Sequence, residues 1–160
     1  MTSLDTRFFS RSHALSAAVA LLGVSMLTIA PAAAVEIPND HAQDALIRST
    51  LARFNDANMT NDYSVFMANA SQQLQTQVPL EKIAAAFEGF RKNHVFFEDV
   101  VAAKYASHEK AIIDKDGALV LAGVMNLDKG DLKYNLRFIQ NDNVWKVLFI
   151  NVDVAGKKQN

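Results

Sequence analysis

Alternating apolar and polar residues predict a long antiparallel hairpin over residues 132–154, with its turn at residues 141–143. In the first strand every second residue is apolar: Leu132, Tyr134, Leu136 and Phe138. This period of two is typical of a strand with one buried face. Arg137 lies between these positions, so we expect its side chain to point away from the core.

The second strand of this hairpin is apolar on both faces. Strict alternation places Trp145, Val147 and Phe149 on one face, and Leu148, Ile150 and Val152 on the other. One set can pack on the rest of the domain, but an exposed patch with a Trp and a Phe is unusual for an isolated soluble domain. A two-fold pairing of sheets would cover it. We therefore predict a homodimer, or else a protein partner, bound through Trp145 and Phe149 with Arg137 near the rim.

Apolar residues spaced three and four apart predict helices ahead of this hairpin. The first predicted helix covers residues 41–57, and its apolar stripe holds Ile47, Leu51 and Phe54. A short second helix follows Asp62 and carries Tyr63 and Phe66 on one face. These two helices are expected to form an antiparallel pair.

The clearest helical stripe starts at Leu80 and continues through Phe87 and Phe90 to His94. The stretch before it, residues 71–78, is rich in Gln and Thr, and we interpret it as a loop. This interpretation gives three helices.

The segment after the third helix is rich in β-branched and aromatic residues, which predicts a sheet. Residues 95–101 are interpreted as a weak strand or connector, and residues 105–113 and 118–127 as strands around a turn. Gly123 inside the latter predicts a bulge or bend. The fold class is therefore α+β, with three N-terminal helices packed on a curved antiparallel sheet.

The first 34 residues have the pattern of a secretory signal peptide. Arg7 and Arg11 precede an apolar run over residues 14–30, and Ala32 and Ala34 match a small-residue cleavage site. We expect cleavage after Ala34, a single mature domain over residues 35–160, and a periplasmic or extracellular location without a membrane anchor. An uncleaved anchor is the alternative, but the run is marginal in length and polarity for spanning a bilayer.

Composition and charge argue against several kinds of function. The chain has no cysteine, so disulfides and a lipid-modified first residue are excluded. Its 16 Lys and Arg residues against 17 Asp and Glu disfavour nucleic-acid binding, which needs a clustered basic excess. No Gly-rich phosphate loop is present, and we predict no cofactor. Asp40, His41 and Asp44 could gather around a metal, but helix capping explains them more simply, and we predict no metal site.

Helices followed by long strands that end in W-K-V-x-x-I-N-V resemble the nuclear transport factor two-like superfamily of cone-shaped α+β domains. The residues that carry the resemblance are Ile47, Leu51, Phe54, Tyr63, Phe66, Trp145, Val147, Ile150 and Val152. The chain is similar to the small secreted bacterial members. The resemblance implies a pocket between the helices and the concave face of the sheet, and frequent homodimerisation through the sheet. Its members range from isomerases and dehydratases to ligand carriers and scaffolds, so fold alone does not decide the function.

Two residues are candidates for acid-base catalysis. His94, near Asp99, could act as a base, but a residue at the helix C-terminus that meets the helix dipole or closes the core is the simpler explanation. Tyr63 beside Asp62 could form an acid and base pair, although capping by Asp62 and packing of Tyr63 are simpler. Neither has a positioned partner in the sequence, so we assign no catalytic residue.

The sequence therefore predicts an exported, non-enzymatic domain that binds an apolar small molecule or a partner protein. Trp145, Phe149 and Arg137 are the predicted binding residues. The alternative is a cofactor-independent isomerase or dehydratase that uses His94 or Tyr63.

Overall fold

A computed structural model of the protein describes residues 35–156. The predicted signal peptide, residues 1–34, and residues 157–160 lie outside the described residues. The first helix, α1, extends over Asp40–Thr60. Asn39 caps it by accepting a hydrogen bond from the Ala42 backbone N–H at 2.9 Å, and Asn61 ends it in the left-handed conformation with φ 55°. The predicted first helix is confirmed, and it extends three residues further.

Four short helices follow α1 in the described part of the chain: α2 (Ser64–Ala68), α3 (Gln72–Gln77), α4 (Leu80–Ala86) and α5 (Glu88–Lys92). The predicted loop over residues 71–78 was wrong, because Ser71 caps α3 by accepting from the Leu74 N–H at 3.1 Å. No helix within residues 35–156 has the length and apolar character needed to cross a membrane.

The single long helix predicted from Leu80 to His94 was also wrong. It is interrupted at Phe87, whose φ of −107° and ψ of 14° are not helical. The interruption lets the Phe87 and Phe90 rings both pack edge-on against Phe54. A 3₁₀ helix, Glu98–Val101, replaces the weak strand predicted nearby.

The rest of the domain is an antiparallel sheet of five strands: β1 (Lys104–His108), β2 (Ile112–Ile113), β3 (Leu119–Asn126), β4 (Gly130–Asn141) and β5 (Val144–Gly156). The strand order is β1-β3-β4-β5, and the short β2 also pairs with β3. Asp142 and Asn143 both have positive φ, 52° and 60°, as a tight type I′ hairpin turn requires. The α+β class and the predicted hairpin are confirmed.

A β-bulge in β5 corrects the predicted orientation of its side chains. Arg137 pairs with Phe149 and Phe138 pairs with Val147, so Leu148 is an extra residue on β5. An extra residue shifts the alternation of the side chains, so that the residues before it exchange faces relative to those after it. Trp145 and Val147 consequently share a face with Ile150 and Val152, and Phe149 lies on the opposite face.

The inner face of the sheet, which packs on the helices, carries Leu132, Tyr134, Leu136, Phe138, Val147, Ile150 and Val152, all buried. The fully buried residues Ile47, Leu51 and Phe54 of α1 belong to the same hydrophobic cluster. The outer face carries Lys133, Asn135, Arg137, Phe149, Asn151 and Asp153. Arg137 points outward, as predicted.

Only glycine fits at position 123, because atoms of neighbouring strands lie too close for a side chain. Its own strand has no bulge at this position. Gly123 pairs regularly with Tyr134, and a Cβ atom at this position would lie 2.6 Å from both the Tyr134 hydroxyl and the Ser107 carbonyl oxygen. The bulge predicted at Gly123 lies instead on the neighbouring strand β1, between Tyr105 and Ser107.

Candidate functional site

One face of α1 forms a wall of a partly open cavity of about 180 Å³. Leu46, Ser49, Thr50 and Arg53 line it, and their spacing of three and four residues puts them on one side of the helix. This face adjoins the stripe that buries Ile47 in the core. The cavity wall therefore changes along α1 from an apolar residue, through two hydroxyls, to a guanidinium.

The rest of the lining includes three aromatic side chains and two valines, beside the polar Asn69 and Lys146. Phe66 comes from α2, Phe138 from β4, and Trp145 and Val147 from β5. The bulge at Leu148 makes this possible, because without it Trp145 would lie on the outer face. The edge of β5 is held in place by Ser71, whose backbone N–H donates to the Val147 carbonyl at 2.8 Å.

Trp145 is half-buried, and on its other side it borders a shallow depression lined by residues 36–39. Its indole thus lies between the cavity and the N-terminal segment. The prediction that Trp145 shares a face with Phe149 was therefore wrong, while the homodimer stays a prediction.

The cavity has the size of a site for a small molecule. A cavity of about 150 Å³ lined by apolar side chains accommodates benzene, so this one, which is slightly larger and partly open, holds an aromatic ring whose substituent lies towards the opening. The lining that the structure describes contains two cationic residues, Arg53 and Lys146, and no carboxylate. The arrangement suits an apolar ring with a polar group at one side.

Tyr63, a candidate for catalysis, lies outside this lining. Its hydroxyl donates to Asn58 Oδ1 at 2.5 Å and accepts from Arg91 Nη1 at 2.8 Å, while Arg91 Nη2 donates to the Ala84 carbonyl at 2.7 Å. Burial raises the pKa of Tyr63, although the nearby Arg91 opposes the shift. Because both of its hydrogen-bonding roles are occupied by protein groups, Tyr63 connects α1 to α4 and α5.

His94, the other candidate, is exposed after the end of α5 and has a φ of 53°. Its nearest aromatic neighbour is the Phe96 ring, at 6.3 Å between ring centroids. The predicted partner Asp99 accepts instead from the Asp128 backbone N–H at 2.7 Å. The structure therefore does not bring His94 to the cavity or to Tyr63.

Arg137 and Phe149 lie on the outer face, away from Trp145. Arg137 donates to Asp114 Oδ2 at 2.9 Å and to Asp116 Oδ2 at 3.0 Å. The hydrogen bond with Asp114 is the main cause of the raised pKa of the Arg137 guanidinium. Two carboxylates thus compensate this charge, and Arg137 is not available as a clamp for an anionic ligand. Phe149 is 46% exposed.

A partly buried polar network that the sequence analysis did not predict lies around Asp44. Its carboxylate accepts from the Tyr105 hydroxyl at 2.6 Å and from Arg48 Nε at 2.8 Å. Arg48 Nη1 also donates to the Val100 and Ala103 carbonyls at 2.9 and 3.0 Å. Burial, and then the hydrogen bond with Asp44, raise the pKa of Tyr105. The spacing of Asp44 and Arg48, four residues apart on one helix, was the available signal.

This network joins the first half of α1 to the 3₁₀ helix and to β1. Its donors and acceptors satisfy one another, which is what buried polar groups need to avoid a desolvation cost. Asp44, suggested above as a metal ligand, is therefore a structural acceptor. Within residues 35–156 no three His, Asp or Glu side chains come together as a metal site.

No family model, no curated protein and no solved structure matches this chain. Functional inference therefore rests on the cavity and on the side chains that line it.

Proposed function

We propose that the domain binds a small, largely apolar molecule in the cavity beside Trp145 and does not convert it chemically. The observation that carries this proposal is a preformed cavity of about 180 Å³ whose walls include the rings of Phe66, Phe138 and Trp145. Sites for small molecules are typically concave and mostly apolar, with a few polar groups that fix orientation. Thr50 and Arg53 supply such groups on α1.

The proposal agrees with the resemblance to the nuclear transport factor two-like superfamily, in which helices precede an antiparallel sheet and a pocket lies between the two. Membership of that superfamily, with helices packed on a curved sheet, is part of the proposal. So is export through the signal peptide of residues 1–34, which would bring the domain to its ligand in the periplasm or outside the cell.

Isomerase or dehydratase chemistry by His94 or Tyr63 receives no support from their positions. A general acid or base must come within hydrogen-bond reach of the reacting group. Neither residue lines the cavity. Binding without turnover is the function that the cavity supports best.

The test is an NMR titration with benzamide, a neutral aromatic molecule of the right size. The indole N–H of Trp145 gives a signal of its own, because the chain has a single tryptophan. We expect this signal, and the amides of Ser49 and Val147, to shift in a saturable way with a dissociation constant of about 1 mM. That value corresponds to about −4 kcal/mol, a modest efficiency for so small a ligand. Shifts scattered over the surface without saturation would contradict the proposal.

A second candidate function, self-association through the outer face, has an observation of its own. Ile112, Val120, Arg137 and Phe149 form one row across neighbouring strands. Ile112 is 51% exposed and Phe149 46% exposed, and the charge of Arg137 between them is compensated by Asp114 and Asp116. Two such rows related by a two-fold axis would cover each other.

Sedimentation velocity at micromolar concentration tests this pairing. We expect twice the chain mass for the wild type and a folded monomer for Phe149→Asp, because a carboxylate in place of this exposed ring would have to be desolvated when the two rows pair. The matched control is Val65→Asp, which adds the same charge at an exposed apolar residue of α2. A wild type that sediments as a monomer, or a Val65→Asp variant that dissociates equally, would contradict the pairing.

A further inference from the structure

We infer that the ligand of the cavity is an anion, namely a small aromatic or branched aliphatic carboxylate whose carboxylate group is bound by Arg53. The inference rests on the proposed function, because it takes the cavity beside Trp145 as the binding site. It adds the chemical class of the ligand and the residue that recognises its charge.

Arg53 has a free guanidinium at the edge of the cavity. It is exposed, and it takes part in no ion pair or side-chain hydrogen bond with another described residue. It also lines a neighbouring depression together with Asp56 and Asp62, neither of which lies within ion-pair distance of it. The planar fork of a guanidinium matches a carboxylate through two parallel hydrogen bonds. The other arginine of α1, Arg48, is fully engaged by Asp44 and by backbone carbonyls.

The charged side chains that line the cavity are all positive. Lys146, on β5 between Trp145 and Val147, is half-buried and likewise forms no ion pair within the described part of the chain. No Asp or Glu among the described residues lines the cavity. A cleft lined by one sign of charge with apolar walls raises the local concentration of ligands of the opposite sign.

Thr50 provides a second, independent observation. Its side chain lines the cavity and is 6% exposed, yet its hydroxyl takes part in none of the hydrogen bonds found among residues 35–156. Among residues 35–156 the buried side-chain polar atom without a hydrogen-bond partner is Asn58 Nδ2, so the Thr50 hydroxyl is accessible and can donate to a ligand acceptor in the cavity. Thr50 lies three residues before Arg53 on the same face of α1, so both groups can donate to one carboxylate. The ring of the ligand would then pack against Trp145 and Phe66.

A titration with benzoate and with benzamide tests the inference, because the two probes have the same number of non-hydrogen atoms and nearly the same shape. At neutral pH and low ionic strength we expect benzoate to bind about tenfold more tightly, since charge-assisted hydrogen bonds are roughly twice as strong as neutral ones. The preference should decrease as ionic strength rises from about 0.01 M to about 1 M, where the screening length falls from about 30 Å to about 3 Å.

Two variants assign the preference to Arg53. Arg53→Gln should lower the ratio of the two dissociation constants from about tenfold to about twofold or less, since it removes the charged fork that pairs with the carboxylate. Lys110→Gln is the matched control: it removes the same charge from an exposed residue between β1 and β2, and the ratio should stay unchanged.

The possible results separate the inference from the proposed function. If benzamide binds and benzoate binds no more tightly, the inference fails and the proposed function stands. If neither probe shifts the Trp145 signal in a saturable way, both fail. A preference for benzoate that survives in Arg53→Gln would overturn the assignment to this residue.

Discussion

Replacing Phe54 by alanine should destabilise the domain by about 3–5 kcal/mol, the cost usually measured when a fully buried phenylalanine is truncated. Phe54 is fully buried at the centre of the aromatic cluster. Its ring centroid lies 4.5 to 6.2 Å from those of four other rings: Phe66, Phe87, Phe90 and Phe97. These rings come from α2, from the helices around the interruption at Phe87, and from the chain before the 3₁₀ helix. The substitution would therefore weaken several elements at once.

Urea denaturation measures this effect. A domain of this size has a free energy of unfolding of roughly 5–15 kcal/mol, so the variant should unfold at a much lower urea concentration with an unchanged m-value. Val65→Ala, at an exposed residue of α2, should change stability by no more than about 0.5 kcal/mol. Equal midpoints for Phe54→Ala and the wild type would mean that α1 presents another face to the sheet.

The sequence correctly predicted the helices and strands that bury one face at a regular spacing of residues. The stripe of Ile47, Leu51 and Phe54 defined α1, and the alternation from Leu132 to Phe138 defined β4. The interruption at Phe87 was not predictable from the same signal, because Phe87 and Phe90 continue an apolar stripe whether or not the helix is continuous. Packing of both rings on Phe54 decided the outcome.

The bulge at Leu148 explains why the site was only partly predicted. Trp145 and Val147 on one side of it, and Ile150 and Val152 on the other, are all apolar, so the pattern fits an uninterrupted strand and a bulged strand equally well. One extra residue transfers Trp145 from the outer face to the inner face. The structure thus places Trp145 at the cavity and not on the outer face with Phe149, and its role in binding stays a prediction.

The wall that α1 contributes was missed for a different reason. Ser49, Thr50 and Arg53 lie beside the apolar stripe, where a sequence pattern does not distinguish a polar residue that faces solvent from one that faces a cavity. The same holds for His94, whose place on the predicted stripe was lost when the chain adopted a positive φ after α5. These assignments depend on tertiary packing.

Filling the cavity from Ser49 should abolish ligand binding, the largest functional effect that we expect. Ser49 lies on the wall that α1 contributes, and its hydroxyl donates only to the carbonyl of Leu46 one turn earlier, at 3.3 Å. Its loss should therefore cost little stability. The benzyl group of Ser49→Phe is about as large as the benzene that a cavity of about 150 Å³ accommodates, so it would occupy most of the available volume. Ala45→Phe, which adds the same ring at an exposed position of α1, is the matched control.

The NMR titration of these two variants with benzamide tests most directly whether the cavity beside Trp145 is the binding site. Both variants should remain folded, as judged by dispersed amide signals. We predict that Ala45→Phe binds as the wild type does, whereas in Ser49→Phe the dissociation constant rises by at least about tenfold, to beyond 10 mM, a loss of about 1.4 kcal/mol or more. The account would be contradicted if a folded Ser49→Phe variant gave a Trp145 signal that saturates at the same benzamide concentration as the signal of the wild type.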